Sequence, residues 1–332
     1  MKKILITGGA GFVGRHFVDH FLKAGDEVHC VDPIVDFTGG IDPSNWPFSN
    51  PMQDKNFHFH KMDCREYFKK FQDNDFDYSL HLAAMVGGRL MIENNPLAVA
   101  DDLSIDAEYW QWAARTRPKK TICFSSSAAY PVEFQKRQDY KLLTEDMIKF
   151  DGATIGQPDM SYGWAKLTHE YLAKLAYEKN GLCSVVYRPF SGYGEDQDMT
   201  YPFPSICARV LKNINAKEIT VWGTGDQMRD FIHIDDCVRG VISTMDKIND
   251  ASAINLSTGI YTSFKGLASL AAELEGFNPV IVGTSDKPEG VFARGGDTQK
   301  QEALGFKYVI SLKDGVSAAL KWLKLNPKGI VK

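Results

Sequence analysis

Through the first half of the chain, short apolar runs alternate with longer stretches in which apolar positions recur at helical spacing. The run Lys2-Lys3-Ile4-Leu5-Ile6-Thr7 has no polar alternation, which predicts a strand buried on both faces of a parallel sheet. Residues 12–24 carry the helical period, and Gly25 stops it. A second strand is predicted over 27–31, and further strands over 57–62, 76–82, 121–124 and 182–187. Long helices are predicted over 96–117, with Pro118 as the stop, and over 161–180, with Gly181 as the stop. This alternation implies an α/β fold built on a doubly wound parallel sheet. Such sheets take ligands beyond the C-terminal ends of their strands. The residues in those positions are Gly8 to Gly14, Asp32, Asp63, His81 to Ala84, Ser125 to Ser127 and Arg188 to Tyr193. After Tyr193 the segments shorten and become richer in Pro and Gly, which predicts a smaller mixed α+β unit. The expected division is 1–190 and 191–332, with a segment near 230–260 returning to the first unit. The stretch 132–158 is long for a connection and is a candidate lid.

Composition removes several classes. The chain has 332 residues and a formal net charge of −4, which argues against nucleic acid or an anionic membrane as partner. No run of about 18 apolar residues is present, so no spanning helix is expected. The N-terminal apolar run is too short for a signal peptide. Cys30, Cys64, Cys123, Cys183, Cys207 and Cys237 lack C-x-x-C spacing and read as reduced thiols of a cytoplasmic protein. The histidines show no metal-ligand spacing along the chain, and no metal is expected.

Two motifs carry chemistry. The first strand runs directly into Gly8-Gly9-Ala10-Gly11-Phe12-Val13-Gly14, which leads into a helix. Strand, glycine turn and helix together form a dinucleotide fingerprint: the glycines allow a tight turn, close approach of a pyrophosphate, and helix–strand packing. The phosphates then rest on the helix N-terminus. Asp32 follows the second strand, where a carboxylate accepts from a ribose 2′-hydroxyl and repels a 2′-phosphate. NAD is therefore favoured over NADP. In the second motif, Tyr162 and Lys166 lie at i and i+4 on the predicted 161–180 helix and share one face. An adjacent ammonium favours the phenolate and is expected to bring the phenol toward neutrality, giving a general base for a hydroxyl.

These residues resemble the extended short-chain dehydrogenases/reductases, in particular the NAD-dependent nucleotide-sugar epimerase/dehydratase family. The likeness covers nearly the whole chain. It continues through His81-Leu82-Ala83-Ala84, Ser125-Ser126-Ser127, Arg188-Pro189-Phe190, the run Arg229-Asp230-Phe231-Ile232-His233, and Arg294-Gly295-Gly296-Asp297. It implies a Rossmann-type domain, bound NAD and a nucleotide-diphosphate sugar as substrate. Cofactor contacts are implied for Gly8, Gly11, Phe12, Val13, Gly14 and Asp32, and for Asp63, Cys64, Leu82, Ala83, Ala84 and Pro189. Lys166 would bond the nicotinamide ribose and tune Tyr162, the acid/base. One serine would share the proton of the substrate hydroxyl; counting back from Tyr130-Pro131 selects Ser126, with Ser127 second. Arg229 and Arg294 would clamp the diphosphate, since guanidinium pairs with phosphate oxygens, and Ser191 and Gly87 would also face the substrate.

Departures from the family pattern narrow the reaction. Ala128 and Ala129 stand where dehydratases carry an acid, which disfavours loss of water. Gly87-Gly88 and Tyr130-Pro131 are similar to GDP-fucose synthase and GDP-mannose 3,5-epimerase, but Ala128 replaces their cysteine. Their histidine is also missing, with Tyr201 nearby. The reading that remains is NAD-dependent C4 epimerisation through a transient 4-keto sugar. A net 4-dehydrogenase or 4-keto reductase, a 3,5-epimerase and a non-catalytic NAD-binding protein are the alternatives. The family pairs two long helices per subunit, so a homodimer is expected. Tyr109, Trp110 and Trp112 would then either supply an apolar seam or face the chain's own core.

Overall fold

The structure, a computed structural model, describes residues 1–35, 39–72, 75–85, 89–152, 154–284 and 289–327, with the backbone alone at 89–91. Seven strands form one sheet: β1 (Lys3–Thr7), β2 (Glu27–Val31), β3 (Phe57–His60), β4 (Tyr78–His81), β5 (Lys120–Phe124), β6 (Ser184–Pro189) and β7 (Asp250–Leu256). Their order is β7-β6-β5-β4-β1-β2-β3, and every neighbouring pair is parallel. Winding reverses between β1 and β4. The helices are α1 (Phe12–Lys23), α2 (Cys64–Lys70), α3 (Asp101–Thr116), α4 (Met160–Asn180), α5 (Pro202–Lys212), α6 (Ile234–Thr244), α7 (Phe264–Leu274) and α8 (Leu312–Leu325).

The two-residue repeat of a strand explains how the layers assemble. Ile4 and Ile6 of β1 point into one core with Phe17 and Phe21 of α1 and Val238 and Val241 of α6. Leu5 points the other way, into a core with Tyr67 and Phe68 of α2, Tyr109 and Trp112 of α3, and Ala173 and Ala176 of α4. Tyr109, Trp110 and Trp112 are all buried in this core, so they do not form an external seam. The apolar residues that α3 and α4 leave exposed are Leu103, Trp164, Tyr171 and Tyr177.

The expected 96–117 helix is divided into Pro96–Val99 and Asp101–Thr116, and Arg117 closes it in a left-handed conformation. Strand ends also differ: Pro189 extends β6, while residues 61–62 fall outside β3. The segment 234–256 supplies α6 and β7 to the parallel sheet. The remaining C-terminal residues build a separate core, in which Phe203, Phe231, Leu267, Val316 and Leu320 bring α5, α7 and α8 together. The candidate lid is tied down over its described residues. Leu143 N–H donates to Gly295 O at 2.9 Å, Asp297 N–H donates to Leu143 O at 3.0 Å, and the Tyr261 hydroxyl donates to Lys141 O at 2.8 Å.

Candidate active site

A cleft of about 610 Å³ lies along the C-terminal ends of the strands, bounded on its far side by Tyr201, Arg229 and Arg294. Its floor is the glycine turn. Gly8 holds φ at +72°, and a Cβ there would lie 2.6 Å from Ala83 N. A Cβ at Gly14 would lie 2.2 Å from Gly8 O, so only glycine lets α1 begin this close to β1. No side chain caps α1 and no acid stands in its first turn, which leaves its N–H groups and dipole facing the cleft. Phe12, Val13, Leu82, Ala83, Ala84, Cys64 and Pro189 line the walls. Burial pushes the Cys64 thiol up, so it remains protonated. Gly87 lies outside the described residues.

Asp32 and Asp63 both border the cleft, but differ in environment. Asp32 accepts from Ala10 N–H at 3.0 Å and Ile34 N–H at 2.8 Å. Burial raises its carboxyl above the usual range, and these amides oppose the rise. Asp63 caps α2 through Arg65 N–H at 2.8 Å and also accepts from the Arg65 guanidinium at 2.6 Å. That guanidinium holds its carboxyl below the usual range.

The reactive end sits on the first turns of α4. The Lys166 ammonium is buried 5.7 Å from the centre of the Tyr162 ring. The Ser126 hydroxyl lines the same cleft as Tyr162, where it opposes the rise of the phenol, and it accepts from Ala128 N–H at 3.1 Å. The serine run is thus divided by its partners. Ser125 donates to Glu170, which in turn binds Arg188 through two contacts of 2.9 and 2.6 Å. Ser127 is buried and opens a short 3-10 turn on the cleft wall.

The charge balance departs from the expectation. Burial raises the Tyr162 phenol above its ordinary value; Lys166 opposes this without reversing it. Burial also acts against the Lys166 ammonium, but Tyr162, Asp106 and Asp102 outweigh it and the amine is raised. Those two acids on α3 were not anticipated. Asp102 accepts from Met85 N–H, and burial lifts its carboxyl to about 6. Asp106 is buried between two histidines: His81 Nε2 is 3.1 Å from its Oδ1, and His169 Nδ1 is also 3.1 Å away. Burial alone would raise Asp106, yet His169 first, then His81 and Lys166, hold it well below the carboxylate range. Burial lowers His81 to about 4, and its Nδ1 meets Thr7 Oγ1 at 2.7 Å. The spacing Asp102, Asp106 on α3 and Lys166, His169 on α4 places each pair on one helix face, a signal that becomes visible once the two helices are known to pack together.

At the opposite wall, Arg229 and Arg294 are register partners on adjacent parallel strands. Arg294 donates to Gln135 at 2.7 Å and Asp159 at 2.8 Å. Arg229 donates to Met228 O at 2.8 Å and Val291 O at 3.0 Å. Ser191 also lines the cleft.

The profile of NAD dependent epimerases/dehydratases matches residues 4–257. The chain belongs to that family. Its similarity to the UDP-glucose epimerase YtcB of Bacillus subtilis, described as uncharacterized, is 28% identity, covering 97% of this chain and 98% of that one. GDP-mannose 3,5-epimerase 1 of Oryza sativa subsp. indica is 26% identical over 97% of this chain and 82% of its own length. Among solved structures, the UDP-glucuronic acid 4-epimerase of Bacillus cereus, in complex with UDP-glucuronic acid and NAD, has the same fold. The two share a TM-score of 0.80 at 23% identity, over 98% of this chain and 99% of that one. As a member of this family the chain is an NAD-dependent enzyme, and its residues fit the cofactor. A Cβ at Gly8 or Gly14 would fill the turn that phosphates approach, and the Asp32 carboxylate sits at the end of β2.

Proposed function

We propose that this enzyme inverts the C4 hydroxyl of a nucleotide-diphosphate sugar. The observation that carries the reading is the meeting of Tyr162, Ser126 and Lys166 in one cleft, with Ala128 beside them. NAD, when bound, supplies the acceptor and the return donor of hydride. Tyr162 takes the hydroxyl proton during oxidation and gives it back during reduction, and Ser126 shares that hydrogen bond. Lys166 stabilises the phenolate and binds the ribose of the cofactor, for which Asp32 and Asp63 supply the polar contacts at the other end. Arg229 and Arg294 leave their present partners for the diphosphate, and Ser191 lines the path between. Such a clamp holds the nucleotide while the sugar turns over to present its other face. Ala128 supplies no proton, which supports chemistry at one hydroxyl over elimination or 3,5-epimerisation.

The reading extends to organisation. Residues 1–190 with the 234–256 segment form the cofactor unit, and the rest of 191–327 forms the substrate unit. Two copies pair through the exposed α3 and α4 faces, where Trp164 is 48% and Tyr171 44% exposed. The free cysteines suit a reducing cytoplasm. Among the described residues no helix is long and apolar enough to cross a membrane. The test is incubation of purified protein with UDP-, GDP-, CDP- and dTDP-sugars, followed by NMR. A C4 epimer without net NADH supports the reading. Accumulating NADH, or products altered at C3 and C5, rejects it.

A further inference from the structure

A group of imidazoles lies on β2 and β3 outside the residues that line the cleft. Glu27 and His29 share one face of β2, and His58 and His60 share the same face of β3, because parallel pairing sets His29 beside His58. The Glu27 Oε1 is 2.9 Å from His29 Nε2 and 3.7 Å from His58 Nε2. The three ligand atoms all fall within 4.8 Å of one another. We propose that Glu27, His29 and His58 form a surface site for a borderline divalent cation of the zinc type, joining the edge strand β3 to β2.

Three observations support it. A four-coordinate zinc with bonds near 2.0–2.1 Å sets its ligand atoms about 3.3 Å apart, and the separations of 2.9 and 3.7 Å fall on either side of that. The ligand set is two imidazoles and one carboxylate, which suits zinc better than magnesium or calcium. His58 is 44% exposed, so the cation has an entry path and a water can take the fourth position. His60 completes the outer layer, since its Nε2 lies 3.3 Å from His29 Nδ1. When His29 Nε2 gives up its proton for the metal, its Nδ1–H can donate to His60, the usual second support for a ligating histidine. Lys3, a cation that acts on His29, is held by Asp75 at 2.8 Å.

The test uses untagged full-length protein, stripped with chelator and titrated with zinc chloride by calorimetry. His58→Asn and Glu27→Gln are compared, both at solvent-accessible positions, after checking that each melts like the parent without metal. One zinc per chain is expected, with affinity at least tenfold weaker in either variant. Cobalt(II) should give four-coordinate visible bands in the parent and lose them in His58→Asn. Absence of saturable binding, or stoichiometric binding unchanged in both variants, overturns the site.

Discussion

At the residue scale, the proposed reaction rests on a phenol whose burial and neighbours oppose one another. Lys166 favours the phenolate, while burial, Asp102 and Asp106 hold the proton on. Tyr162→Phe is expected to lower kcat by about 10²–10⁴-fold with the melting temperature little changed, measured by steady-state assay beside calorimetry. Asp102 yields a second prediction. Its folded carboxyl titrates near 6 against an ordinary 3.8, so the folded state holds the proton more tightly. Its contribution is fully present below the unfolded value and is lost as pH rises through 6. His81, lowered to about 4, acts in the opposite sense, so the Asp102 contribution is read by urea unfolding as the difference between parent and Asp102→Asn, which should shift in the parent's favour as pH falls from 7 toward 4. Asp102→Asn should remove that dependence and gain up to about 3 kcal/mol at pH 7; an unchanged pH profile contradicts the assignment. The sequence made Tyr162, Lys166 and Ser126 legible because each belongs to a local motif. Asp102, Asp106 and His169 were not, because their meaning depends on two helices packing face to face. The rise of the phenol was missed for a similar reason: burial is a property of the assembled cleft.

At the element scale, a buried ion pair, Glu170 with Arg188, each side chain 3% exposed, joins α4 to the sheet alongside their shared apolar core. Arg188 also donates to the Tyr130 hydroxyl at 2.9 Å, and that hydroxyl donates to Asn255 on β7 at 2.6 Å. Removing one charge leaves the other buried and uncompensated. Glu170→Gln should cost about 3 kcal/mol or more in denaturant unfolding, and it should also free Ser125 and loosen the turn that carries Ser126. A variant as stable as the parent contradicts this. The strands of the sheet were legible as unbroken apolar runs. The interruption of the 96–117 helix was not, since nothing in the apolar spacing marks Ala100 as a break. The zinc site shows the same limit: His29 and His58 are far apart along the chain and become neighbours only through the β2–β3 register.

At the scale of the whole molecule, the sheet order and the glycine turn place every described expected site residue on one cleft. That much follows from a general rule, that parallel sheets bind ligands beyond the strand ends at the point where winding reverses. The fastening of the 132–158 stretch to the C-terminal unit does not follow from any local pattern, since it depends on Leu143 meeting Gly295 and Asp297. Assembly gives another prediction. Trp164→Arg sets a charge on the proposed paired face, and sedimentation should show a dimer for the parent and monomer for the variant; a parent that is monomeric at all concentrations contradicts it. The central claim is that one hydride leaves and returns while a single phenol handles one hydroxyl. Running the reaction in D₂O tests this most directly. The account predicts a C4 epimer with no deuterium on any ring carbon, whereas deuterium at C3 or C5 would contradict it.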